Sequence, residues 1–277
     1  MRLLPGRGHL VNVLAVLGNI SRDQAIYPDG RRFDLLGGAA LHVARAAHRT
    51  GMACALVSVI GTDLDWIRGD PRLADLDLSY VATRAEPSCA FTLTYTAVGM
   101  LASISCSFGA AESLTGHCLT AIGHHGEYHV CCRRPLDVAT VLGRLARDGL
   151  AFSADFHLAS AGELIRAALP FLPLASTVFV NTAEFTTLAA LIDPARLAAL
   201  VVSDGPREAR LLRHGHVTAA IQPPGAPLVE ATGAGDSLAG TFLAAKAAGL
   251  GDHAALQSAV LAATQAIQAP GLIINSH

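Results

Sequence analysis

The chain alternates between short apolar runs and stretches with helical spacing. Residues 10–17 and 53–60 are predominantly apolar and end at Gly18 and Gly61, which suits strands buried on both faces. Segments 119–122, 150–154, 177–180 and 200–203 read as further strands, and 209–220 as a short hairpin. Helical spacing covers 39–49, 138–147, 162–169, 236–248 and 254–268, with Gly51 closing the first of these and Pro170 following the third. Segment 87–111 carries no charge and invites a membrane-helix reading. Its period is two, however. Thr92, Thr94 and Thr96 alternate with Phe91, Leu93 and Tyr95. Beyond Gly99, Ser103, Ser105 and Ser107 alternate with Ala102, Ile104, Cys106 and Phe108. That pattern predicts a β-hairpin with one apolar face that covers something.

Strands alternating with helices predict a mainly parallel sheet with helices on both faces, a Rossmann-like three-layer α/β sandwich. The 277 residues read as one unit over 1–277, with no internal repeat or long linker. Gly18, Gly61, Asp155, Asn181 and Asp204 fall at predicted strand C-terminal ends, the edge where ligands bind in open α/β sheets.

Composition narrows the chemistry. Hydrophobic types make up 52% and charged types 15%, which excludes disorder. A net charge of -2 gives no pull toward nucleic acid or an anionic membrane. Lys246 is the single lysine and lies in an alanine-rich helix, which excludes a Walker A loop and disfavours the protein-kinase pattern. Six cysteines without a Cys-x-x-Cys pair read as reduced thiols, and residues 1–10 lack a signal-peptide core, so the expected location is cytoplasmic.

The most informative segment is Glu230-Ala231-Thr232-Gly233-Ala234-Gly235-Asp236, just ahead of a helix. Backbone N–H groups in such a turn converge, and the helix dipole adds positive potential, which makes an anion hole. Asp236 at its mouth is placed to take a proton from a hydroxyl beside a phosphate. A plain helix start after a glycine turn explains the same residues without chemistry.

Four other elements accompany this segment. They are Gly18-Asn19-Ile20-Ser21-Arg22-Asp23, Gly37-Gly38-Ala39-Ala40-Leu41-His42, Val57 to Asp63, and Asn181-Thr182-Ala183-Glu184. Together, in this order, the five elements resemble the signature of the ribokinase-like (PfkB) carbohydrate kinases. The resemblance implies a ribokinase-like fold with a small β lid, from about 22–37 and 86–111, where the 87–111 hairpin belongs. It implies transfer of the γ-phosphoryl group of ATP to a hydroxyl of a sugar or sugar-like substrate. Asp236 would be the general base, with Gly233, Ala234 and Gly235 completing the anion hole. Asp23, Gly37, Gly38 and His42 would hold the substrate. Asn181, Ser203, Gly205, Thr232, Gly233 and Gly235 would lie along ATP, and Asn181 and Glu184 would hold Mg²⁺ through water. A monovalent cation such as K⁺ belongs beside the glycine turn in many members. The implied partners are the sugar or nucleoside and ATP, in a monomer or a lid-mediated homodimer.

The chain departs from the family pattern at five positions. His42 replaces Asn. In Asp155-Phe156-His157-Leu158-Ala159, His157 replaces Asn and Ala159 replaces Arg, which removes one phosphate-side charge. Glu230 and Ala231 replace Asp and Thr. His117, Cys118, His124, His125, His129, Cys131 and Cys132 crowd one segment, and His125 and His129 have the spacing of helical zinc ligands. With 119–122 read as a strand, His124 instead falls near the substrate. The rival readings are a nucleoside kinase of the same fold, a catalytically silent sugar or nucleotide sensor, and a nicotinamide-dependent oxidoreductase. The missing Gly-x-Gly-x-x-Gly after the first strand disfavours the last. Trp66 is the one tryptophan and aromatics are few, which favours a carbohydrate over a nucleoside.

Overall fold

The computed structural model describes residues 13–98, 100–156 and 160–274. Its first half runs β1 (Leu14–Leu17), β2 (Ser21–Ile26), β3 (Arg32–Gly37), α1 (Ala39–Arg49), β4 (Cys54–Gly61), β5 (Val81–Arg84), β6 (Cys89–Tyr95), β7 (Leu101–Ser107), α2 (Leu114–Ala121) and β8 (Glu127–Cys132). The second half runs α3 (Val138–Arg147), β9 (Ala151–Phe156), α4 (Ala161–Ala168), β10 (Val178–Asn181), α5 (Thr182–Ala189), β11 (Leu200–Asp204), β12 (Arg207–Arg213), β13 (His216–Ile221), α6 (Ala234–Ala247), α7 (Asp252–Ala266) and β14 (Leu272–Ile273).

A large sheet has the order β13-β12-β11-β10-β9-β8-β1-β4-β5. The seven strands from β11 to β5 pair in parallel, and β12 and β13 continue antiparallel. One apolar layer packs α1, α6 and α7 on one face, and a second packs α2 to α5 on the other. All eight residues of β4 are buried, because a central parallel strand has both faces covered. This is the α/β sandwich that the alternating pattern predicts.

A second sheet, β14-β3-β2-β6-β7, stands beside the C-terminal ends of β1 and β4. Its hairpin pairs β6 with β7 antiparallel, Phe91 opposite Cys106 and Leu93 opposite Ile104. Beneath it, Ala25, Tyr27, Leu35, Leu93 and Tyr95 form a small core of their own. No described helix is long and apolar enough to cross a membrane.

One predicted strand is wrong. Residues 119–122 belong to the end of α2 and the turn after it. Leu114, Cys118 and Ala121 are the buried positions of this helix, a spacing of four and three that buries one helical face. The strand that fills this place in the sheet is β8, whose Glu127 and His129 hide it from an apolar-run search. Residues 10–12 of the first predicted strand, and His157 and Ala159, lie outside the described residues.

Candidate active site

Strand C-terminal ends and helix starts meet in a cleft of about 650 Å³, the larger of the two principal clefts among the described residues. Its floor begins with the turn before α6. Gly233 has φ 78° and ψ 6°, the left-handed region, and a Cβ there would come within 2.7 Å of the His42 ring. Only glycine meets both demands. Ala234, Gly235 and Asp236 then open α6 with their N–H groups at the positive end of a 14-residue helix. Asp236 is buried and lines the cleft.

One wall of the cleft converges from β1, β2 and α1. Asp23 on β2 is 6% exposed, and its Oδ1 accepts from Ser21 Oγ at 2.6 Å. Burial pushes its carboxyl up to about 7, against the lowering effect of the Ser21 and Gly38 hydrogen bonds. Gly38 has φ 98°, and a Cβ on it would sit 2.2 Å from the Asn19 carbonyl oxygen. The Asn19 side chain donates to the Arg134 carbonyl oxygen at 3.1 Å, and its own Oδ1 is buried without a partner. His42 lines the cleft beneath Gly233. Burial, then the nearby Arg45, lowers its pKa to about 4, so the ring is neutral, and its Nε2 is buried and unpartnered.

The opposite wall comes from β10 and β11. Asn181 Oδ1 accepts from Glu184 N at 2.9 Å, and Asn181 N donates to Glu184 Oε2 at 2.8 Å, a capping box that starts α5. Burial raises Glu184 to about 7. Ser203 on β11 pairs in register with Asn181, and both line the cleft.

Arg133, just past β8, ties the floor together. Its Nη1 donates to both Asp155 oxygens at 2.8 Å, and its Nη2 to Asp236 Oδ1 at 2.7 Å. Burial alone would raise Asp155, but the guanidinium outweighs it and holds the carboxyl below the usual range. Asp236 is held above its ordinary value by burial, with Arg133 opposing. His129, fully buried on β8, bonds Ser153 Oγ through Nδ1 at 2.9 Å and places Nε2 3.6 Å from Asp155.

The roof comes from the small sheet and the turn beyond it: Phe91, Leu93, Tyr95, Leu101, Ile104 and Phe108 all line the cleft. Tyr95 Oη and Thr232 Oγ1 share a hydrogen bond of 2.8 Å. Tyr27 Oη accepts from Ala231 N at 2.9 Å, and Arg31 donates to the Val229 carbonyl oxygen at 2.7 Å. The roof is therefore tied to the glycine turn before α6.

Of the residues singled out in the sequence, Asp23, Gly38, His42, Asn181, Glu184, Ser203, Thr232, Gly233, Ala234, Gly235 and Asp236 line this one cleft. Three others do not. His124 follows α2, exposed, ahead of β8, at the opposite edge of the sheet from Cys132. It packs against Tyr80 because the strand is eight residues later than expected. Gly205 is exposed in the turn between β11 and β12, outside the cleft. Gly37 lies behind Asp23, where a Cβ would meet Asp23 Oδ2 at 2.0 Å, so it makes room for the carboxylate rather than touching the cavity. The helical pairing of His125 with His129 also fails, since one precedes β8 and the other lies within it. His129, Cys131 and Asp155 do come within 4.8 Å, but both Asp155 oxygens already accept from Arg133.

Arg133 and Asn19 are not singled out as site residues by the sequence pattern, whereas the roof is built largely from the hairpin expected over 87–111. The cue for Arg133 was the arginine pair before Pro135, visible only once β8 is placed.

A parallel α/β sheet with a glycine turn and a carboxylate at the start of a helix, under an apolar roof, defines a phosphate-handling enzyme. The pfkB family carbohydrate kinase profile matches residues 34–277, and the chain belongs to that family of ATP-dependent kinases. A nucleoside kinase from Burkholderia thailandensis, solved with inosine, superposes with a TM-score of 0.78 at 19% identity over 93% of this chain and 92% of that one. A ribokinase from Cryptococcus neoformans, solved with ADP, gives 0.76 at 18% identity over 93% and 94%. A cytidine kinase from Thermococcus kodakarensis is 42% identical over 65 residues. That match spans only 23% of either chain.

Proposed function

We propose that this protein transfers the γ-phosphoryl group of ATP to a hydroxyl of a nucleoside or a similar sugar bearing a flat apolar group. Asp236 is the general base. The observation that carries the reading is Asp236 at the start of α6, beside the left-handed Gly233 and within the same cleft as Asp23. Phosphoryl transfer needs alignment and charge neutralisation more than covalent help. Asp23 and the Asn19 Oδ1 offer hydrogen-bond acceptors to sugar hydroxyls. The Asp236 carboxylate takes the hydroxyl proton, and the N–H groups of Ala234, Gly235 and Asp236 receive phosphoryl oxygens. ATP runs from there past Thr232, Asn181 and Ser203, all on the cleft wall.

Mg²⁺, which neutralises phosphate charge when bound, suits Glu184 and Asn181. The capping box uses Glu184 Oε2 and leaves Oε1 without a hydrogen bond among the described residues, and both residues line the cleft where a water-carrying cation would bind. For K⁺, Glu230 replaces the usual Asp, and its Oε1 is committed to Thr232 N at 2.6 Å within the loop. The small sheet serves as a lid that keeps water from the phosphoryl group.

The nucleoside preference comes from the roof. Aromatics are few in the whole chain, but Phe91, Tyr95, Phe108 and Phe156 are gathered around this cleft, where a base is received on apolar surface. A bare sugar is the second reading, favoured by the buried polar pair of Asp23 and Asn19. The test is ADP release, with ATP and Mg²⁺, across inosine, adenosine, cytidine, ribose and fructose. Turnover with a nucleoside and a fall of roughly 10³-fold in kcat for Asp236→Asn are expected. Normal kcat in that variant removes Asp236 as the base. Tight binding without any phosphorylated product favours a silent sensor.

A further inference from the structure

The family motif leaves this chain one cation short, since Ala159 stands where the motif carries Arg. The single lysine does not fill the gap, because its Nζ pairs with Asp252 at 2.9 Å. Among the described residues lining the cleft, the arginines are Arg133 and Arg134. Arg134 has a side chain 56% exposed and pairs with Glu163 at the rim. Arg133 is 17% exposed and is the one in contact with Asp236.

Its bonding is unusual for an arginine that merely neutralises a buried acid. A buried pair needs one carboxylate, and here the guanidinium is shared between two. Nη1 is anchored on both oxygens of Asp155, while Nη2 reaches Oδ1 of the proposed base. Guanidinium offers five N–H groups, and these three bonds use at most three of them. The Nε–H and one Nη2–H make no hydrogen bond among the described residues. A hydroxyl bonded to Asp236 therefore arrives beside an anchored guanidinium with two N–H groups to spare.

We propose that Arg133 is the phosphoryl-binding cation of this kinase, a catalytic residue that supplies the positive charge missing from the sequence motif that ends in Ala159. The assignment rests on the phosphotransfer reading above. In the step, the acceptor oxygen bonds to the γ-phosphorus as the bond from that phosphorus to the bridging oxygen breaks. The electron pair of the broken bond leaves with ADP, and the hydroxyl proton passes to Asp236. Arg133 neither gives nor takes a proton. It holds the equatorial oxygens and offsets the repulsion between them and the carboxylates of Asp155 and Asp236. As Nη2 turns to phosphate, Asp236 Oδ1 is freed to accept the hydroxyl. A second arginine-bearing motif is then unnecessary, which accounts for Ala159.

The test separates γ-phosphate binding from turnover. Titration calorimetry measures Kd for ADP and for the β,γ-imido analogue of ATP, each with Mg²⁺, on wild type, Arg133→Met and Arg133→Lys. Arg133→Met is expected to weaken the imido analogue at least tenfold and ADP by less than twofold. Arg133→Lys keeps the charge but loses the fork, and falls between. Turnover in Arg133→Met is expected to drop at least 100-fold with acceptor KM within threefold. If Arg133→Met fails to bind ADP, its fold is lost and Arg133→Lys decides, with at least a threefold selective weakening expected. Equal effects on both nucleotides, no effect on either, or kcat retained within threefold overturns the assignment while leaving the kinase reading intact. If the wild type phosphorylates nothing but the imido analogue is still lost selectively, the kinase reading fails and the assignment of Arg133 to phosphate stands.

Discussion

Asp23→Asn separates stability from function in a way that can be worked from the structure. Asp23 is buried, and its carboxyl sits near pH 7 instead of 3.8, chiefly because burial penalises the charged form. Between these two values the folded chain holds a proton that the unfolded chain has released. The raised acid therefore stabilises most below pH 3.8, and that contribution is lost as pH climbs through 7. From pH 5 to pH 8 the loss is about 3 kcal/mol, at 1.36 kcal/mol per pH unit within the window. Asn does not titrate. Urea unfolding of both proteins at pH 5, 6, 7 and 8 should show the variant gaining on the wild type by roughly that amount. Other groups titrating in this range, such as Glu184, are common to both proteins and cancel. The same substitution should raise the acceptor KM at and above pH 7, where the carboxyl is increasingly ionised and accepts a hydroxyl more strongly than the amide does. A variant that does not gain on the wild type across this range, or that loses ground to it as pH rises, refutes the placement of Asp23 as a desolvated acid with a raised pKa.

Two further substitutions probe the turn and the roof. Gly233→Ala forces a Cβ into the left-handed region and to within 2.7 Å of the His42 ring; it should cost at least about 1–2 kcal/mol and lower Tm, as measured by calorimetry. Tyr95→Phe removes the hydrogen bond to Thr232 that joins the roof to the glycine turn, a loss of about 1 kcal/mol, and should raise the acceptor KM about fivefold with kcat little changed in steady-state assays.

What could be read from the sequence follows from how each signal is encoded. Helices α1 and α3 emerged at their observed bounds, because small and apolar residues recur at helical spacing and Gly51 stops the first. The β6–β7 hairpin was legible from period two alone. The glycine turn, Asp236, Asp23 and the Asn181–Glu184 box are local in sequence, so their chemistry appears in a few adjacent letters. Strand β8 is encoded differently. Tyr128 to Cys132 are buried, yet His129 and Glu127 break the apolar run, and burial is permitted only because Ser153 and Asp155 on β9 supply polar neighbours. That information lies 24 residues away from His129. The misplacement moved His124 to the wrong edge and hid Arg133. The roof was legible as a hairpin, but its aromatic lining was not, since aromatics are scarce in composition and concentrated in space.

Charge balance explains why these particular residues share one edge of the sheet. Asp23, Asp155, Glu184, Glu230 and Asp236 are all buried, an arrangement that repels itself strongly without a counterion. Burial raises Asp23 and Glu184 to about 7, so at neutral pH each is partly protonated and the repulsion is reduced. Glu230 is absorbed by the loop N–H of Thr232. Asp155 and Asp236 remain, and both lean on Arg133. An incoming nucleotide adds negative charge to this balance. It is admitted because the α6 start and the guanidinium face the same space, and because the acids beside them are held partly neutral.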